Sequence, residues 1–130
     1  MRAIILLSML AVAGCGTVDQ QAQSARDQQR LTAEIGDRVA GTPQRCLSSF
    51  RTQDMRVVGS DILFEDGATL YRARTSGGCE AARTSGYILV FDYRGDTQLC
   101  SGSIVKVINS SGGMFAGSCA IEDITPYRRP

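Results

Sequence analysis

The chain has neither histidine nor tryptophan among its 130 residues. The first absence removes the commonest general base, the commonest metal ligand and any Ser–His or Cys–His nucleophile pair. It argues against most hydrolase chemistries; neither an enzyme nor a bound cofactor is expected. Lysine is almost missing as well: Lys106 is the single one, and every other basic side chain is arginine. Basic and acidic side chains number 14 and 13. The positive excess that nucleic-acid binding needs is therefore absent. No apolar run reaches the about 20 residues of a membrane-spanning helix. No two cysteines are spaced Cys-x-x-Cys, which disfavours a zinc site in a chain without histidine.

What is present begins with Met1 and Arg2, a minimal positive start, followed by the apolar run Ala3 to Val12. Its length fits the apolar region of an export signal. Small residues Ala13 and Gly14 follow, and then Cys15. Val12-Ala13-Gly14-Cys15 resembles the lipobox of bacterial lipoproteins. The resemblance implies removal of residues 1–14, a diacylglyceryl group on the Cys15 sulfur and acylation of the new amine. Three acyl chains, at about 0.8 kcal/mol per buried methylene, would hold the chain at a membrane almost permanently. Gly16 in place of aspartate after the cysteine implies, by the same resemblance, the periplasmic face of the outer membrane of a Gram-negative cell. Cleavage removes Arg2 and leaves basic and acidic side chains equal in number.

Four further cysteines remain: Cys46, Cys79, Cys100 and Cys119. An even number in a small exported domain reads as two disulfides. Four cysteines allow three pairings, and spacing does not choose among them. A β domain that brings its first and last strands together predicts Cys46–Cys119 and Cys79–Cys100.

Residues 15–44 read as a tether that ends in a short amphipathic helix. The segment is rich in Gln and Ala, and Leu31, Ile35 and Val39 recur every fourth residue along one stripe. Gly41 and Pro43 end it. Residues 45–130 read as a β domain. "MRVVGSDILFEDGATLYRAR" holds two strand-like runs joined by Glu65-Asp66-Gly67, an Asp-Gly hairpin signal. Ile62 and Phe64 share one face, with Leu70 opposite them or one step off. "YILVFDY" is apolar on both faces and reads as a central strand. "CSGSIVKVI" sets Ile104, Lys106 and Ile108 against Val105 and Val107. Asn109 to Gly113 is a loop, "MFAGSCAI" the last strand, and Thr125 to Pro130 an extended tail. The expected fold is mainly β: a small, disulfide-stabilised antiparallel barrel or sandwich. It follows a cleaved signal peptide and a short N-terminal helix. A core of this size is marginal by area alone, so two disulfides make physical sense.

"ARTSG" occurs twice, at Ala73–Gly77 and Ala82–Gly86. Two such loops present guanidinium groups and backbone amides, so Arg74, Arg83 and Ser85 are candidate contact residues. Arg94-Gly95-Asp96 spells an adhesion tripeptide but reads as a turn. The carboxylate neighbours Glu65/Asp66, Asp92/Asp96 and Glu122/Asp123 match no calcium loop and read as solvated turn charges. Lys106 would become a nucleophile only if it pointed inward.

The order Arg45-Cys46, Leu70-Tyr71-Arg72 leading to Cys79, Leu99-Cys100-Ser101-Gly102-Ser103-Ile104-Val105, Gly117-Ser118-Cys119-Ala120 and Pro126-Tyr127 is similar to a family of small exported Gram-negative proteins of unknown function. That resemblance implies a compact disulfide-bonded unit and assigns no activity. The functional expectation is a lipid-anchored, non-catalytic structural or binding module of the cell envelope. Its partners would be the membrane, through the lipid, and an envelope protein; nucleic acid and metal are not expected. The alternative is an inhibitor of an envelope enzyme such as a lysozyme. "ARTSGYILV" resembles the Ser-Gly-containing inhibitory loop of small lipid-anchored proteins of that kind.

Overall fold

The computed structural model describes residues 16–47, 54–92 and 98–130. Cys15 and the tripeptide Arg94-Gly95-Asp96 lie outside the described residues. Among the described residues the elements are a helix α1 (Gly16–Ile35) and nine strands: β1 (Val39–Ala40), β2 (Cys46–Leu47), β3 (Met55–Val58), β4 (Asp61–Asp66), β5 (Thr69–Thr75), β6 (Tyr87–Phe91), β7 (Leu99–Cys100), β8 (Ile104–Asn109) and β9 (Phe115–Arg128). A 3-10 helix, Glu80–Arg83, lies between β5 and β6. The sheet is antiparallel, in the order β3-β4-β5-β9-β8-β6, with β1 added against β9. It curls into a half-barrel. β2 and β7 form a separate two-stranded sheet.

The helix is longer than the stripe implied. Gln, Ala, Arg and Glu are all good helix formers, and no glycine or proline interrupts the chain between Gly16 and Ile35. The segment read as a tether is therefore helical from Gly16. Gly36, at φ +61°, ends it, as a left-handed residue beyond the last turn commonly does. Val39 leaves the stripe altogether: it lies on β1 and is 61 % exposed. Residues 39–44 already belong to the sheet, since Gly41 N–H donates to Pro126 O and Gln44 N–H to Ile124 O.

Alternation divides the sheet's two faces. Ile62, Phe64, Ala73, Val105, Val107, Cys119, Ile121 and Ile124 fill the inside of the curl. Leu63 and Leu70 point the other way and receive Leu31 and Ile35 of α1. Leu70 is thus one step off from Ile62 and Phe64. β4 is buried on both sides, from Asp61 through Phe64. Asp66 pairs with Thr69. The two-residue connection between them has Gly67 at φ +59°, where a tight hairpin turn needs a positive φ.

Several sequence expectations change. The run Met55 to Phe64 is two strands, because the chain turns at Gly59-Ser60. "YILVFDY" is not central: β6 ends the sheet, with Ile88 and Val90 facing outward and Ile88 half-exposed. The last strand continues through the tail to Arg128, and it is central, between β5 and β8.

The disulfides follow from that order. They are Cys46–Cys100 and Cys79–Cys119, not the pairing inferred from a first-to-last closure. Cys46 and Cys100 are direct cross-strand partners on β2 and β7. Cys119 lies deep on the central strand β9, beside Val105. The loop leaving β5 follows β9 there: Ser76 N–H donates to Ala120 O, and Cys79 arrives over Cys119. The backbones touch at this point. A Cβ on Gly78 would stand 2.2 Å from Ser118 O, and one on Gly117 2.3 Å from Gly78 O.

Candidate functional site

A cleft of about 660 Å³ lies between α1 and the outward face of β4 and β5. Its floor holds Asp61, Arg72 and Arg74; its helical wall presents Gln20, Gln23 and Gln28; Glu80 and Arg83 close one end. The floor follows from strand alternation. Leu70, Arg72 and Arg74 share the helix-facing side of β5, with the apolar residue under the helix and the two arginines beyond it. The wall follows from helical repeat: Gln20, Gln23 and Asp27 fall three to four residues apart on one face.

Each arginine is held by a carboxylate. Arg72 Nε and Nη2 reach Asp61 Oδ2 at 2.8 and 2.7 Å. Asp61 is 7 % exposed. Burial is the largest influence on Arg72 and opposes its charge, yet its hydrogen bond with Tyr127 and the Asp61 carboxylate outweigh it. Its pKa is raised above the ordinary arginine value. Arg74 Nε donates to Asp123 Oδ2 at 2.8 Å, and Glu122 lies near the same guanidinium. The Asp123 hydrogen bond raises its pKa as well. Arg83 Nη1 bonds both Asp27 oxygens at 3.0 Å. Asp27 also packs against Gly59, so this residue joins the helix to the sheet and to the 3-10 helix.

The two repeats do not form the pair of loops expected. Arg74 lies on a strand and Arg83 on the 3-10 helix. The fold nevertheless brings both to one cleft. Ser85 does not join them. It sits in an exposed turn, Thr84 to Gly86, and that turn is short and pinned, because Ser110 N–H and Oγ both donate to Gly86 O.

The remaining candidates fall elsewhere. Lys106 is exposed on the outer face of β8 and meets Asp92 at 3.7 Å. Glu122 and Asp123 lie on β9 rather than in a turn and face Arg74. Glu65 meets Arg38 and Arg56 at 3.2 and 3.4 Å. Asp96 lies outside the described residues. Among the described residues no group of three or more metal-ligating side chains comes together, and no helix is long and apolar enough to cross a membrane. Sequence reasoning missed Arg72, Asp61 and Asp27. The alternation Leu70, Arg72, Arg74 carried a signal for the first; nothing local marked the other two.

Chemically, the cleft offers fixed guanidinium forks and amide groups that both donate and accept. Comparison of the chain with known protein families, with curated proteins and with solved structures finds no match.

Proposed function

We propose that this protein is a lipid-anchored, non-catalytic binding module of the cell envelope. It is held at the periplasmic face of the outer membrane by Cys15, and the cleft beneath α1 is its contact surface. The observation that carries this reading is the convergence of Arg72, Arg74 and Arg83 with a row of glutamines in one cleft. The anchor supports it: Cys15 directly precedes Gly16, so the lipid joins the very element that forms the cleft's wall. A partner presenting amide and hydroxyl groups fits. The guanidinium groups are fixed by the chain's own carboxylates, and the glutamine side chains serve as donors and acceptors alike.

The test is photo-crosslinking in intact envelopes from a probe at Gln23, read by mass spectrometry. A defined adduct should form with the natural protein and be lost in the Arg74→Ala/Arg83→Ala variant. An adduct indifferent to both arginines would refute the cleft as contact surface. Cys15→Ser should leave the membrane fraction; its retention there would refute the anchor.

A further inference from the structure

The outer face of β6, β8 and the first half of β9 is apolar where a solvated sheet face is normally polar. The register sets Ile88 opposite Ile108 and Ile108 opposite Phe115. One rung back come Val90, Lys106 and Ser118, and then Ile104 and Ala120. The opposite faces of these strands, Val105, Val107 and Cys119, already fill the core. Among the described residues the outward side chains thus have no core left to join. Met114 and Phe115 are 71 % and 66 % exposed. Between Lys106 and Glu122 there is no charged side chain at all, and the hairpin tip from Ser110 to Gly113 is only Ser and Gly.

The location of this face matters as much as its composition. α1 runs antiparallel to β5. Its last turns pack near Leu70, its middle residue Asp27 meets Gly59 and Arg83, and Gln20 lies toward the far end of the cleft. Beyond β5 the chain continues in the same direction along β9, through Ser76 beside Ala120 and Gly78 beside Gly117. That path leads to the β8–β9 hairpin, where Ser110 ties in the start of β6 through Gly86. The N-terminus of α1 and the apolar hairpin tip therefore lie toward the same end of the molecule.

We infer that the outer face at this tip, formed by Ile88, Ile108, Met114 and Phe115, contacts the lipid surface of the membrane that holds the chain. This rests on the anchor at Cys15. An acylated Cys15 places the N-terminal end of α1 at the bilayer, and the tip comes with it. Exposed apolar side chains partition into the boundary between headgroups and acyl chains. Lys106, one rung back and meeting Asp92, stands where an ammonium reaches lipid phosphates. The contact sets the orientation of the domain and turns the cleft's long axis away from the bilayer.

The absence of tryptophan gives the test a clean reporter. Phe115→Trp and, as the far-end control, Val39→Trp are prepared in the acylated protein. Each is reconstituted into phosphatidylethanolamine–phosphatidylglycerol vesicles with brominated acyl chains. Both replaced residues are exposed, so both variants should fold. Phe115→Trp should lose most of its emission to the bromolipid, and Val39→Trp should keep its own. If the protein floats with the vesicles and neither reporter is quenched, the lipid contact is refuted while the anchor stands. Protein that does not float with the vesicles refutes the anchor, and the contact with it. Equal quenching of both reporters refutes the orientation. An unquenched Phe115→Trp whose emission shifts to the blue as protein density rises assigns the face to a second copy and overturns the inference.

Discussion

The two disulfides should separate by accessibility and not by loop length. Their sequence separations are 54 for Cys46–Cys100 and 40 for Cys79–Cys119. The chain-entropy relation gives about 4 kcal/mol for each, nearly the same value. Against a typical net stability of about 5–15 kcal/mol, either loss is large. The surroundings differ sharply. Cys79 is wholly buried and Cys119 is 3 % exposed, both within the main core. Cys46 is exposed and Cys100 half-buried, on the small β2–β7 sheet. Replacing the buried pair by alanine removes two sulfur atoms from a packed interior, which adds about 1–2 kcal/mol to the entropic loss. Cys79→Ala/Cys119→Ala should therefore be the less stable double variant in urea unfolding. The two bonds also interleave along the chain, so each shortens the loop the other closes, and removing both should cost somewhat more than the sum of the separate losses. Reduction should follow the same contrast. With a graded thiol reductant and alkylation read by mass spectrometry, Cys46 and Cys100 should be labelled first, because thiolate attack needs access to sulfur. Simultaneous labelling, or earlier labelling of Cys79 and Cys119, would refute the reasoning.

Two further outcomes follow from the packing. Leu31 is the apolar peg of α1 against Val58, Leu63 and Leu70; Leu31→Ala should cost about 2–4 kcal/mol and raise amide exchange along α1 more than along β9. Unchanged exchange in the helix would contradict its docking through this cluster. Gly78→Ala puts a methyl group 2.2 Å from Ser118 O. It should destabilise the domain by about 1–3 kcal/mol and slow formation of the Cys79–Cys119 bond in oxidative refolding, whereas a loss below measurement error would show that the loop relaxes freely.

Much of the fold was legible in the sequence because much of it is local. Alternation separated Ile104, Lys106 and Ile108 from Val105 and Val107, as found, and only the structure turned the valines inward. The Asp66-Gly67 pair marked a hairpin, the four cysteines two bonds, and the short strands an antiparallel β class. The site was legible only in fragments: Arg74 and Arg83 were visible as repeated motifs, but the cleft they share was not.

What the chain alone determined are properties with a short period. Inward or outward orientation repeats every two residues in a strand, helix propensity sums over a few turns, and a tight turn needs only its own residues. Tertiary structure decided the rest: that β9 is central and β6 an edge, that Cys46 meets Cys100 and Cys79 meets Cys119, and that Asp27 crosses to Arg83. The physical reason is that strand order and long-range partners depend on which surfaces meet after the chain has curled. Residues 46 and 100, or 27 and 83, carry no local mark of each other. Only the closure of the half-barrel, with α1 laid across its outer face, brings them together.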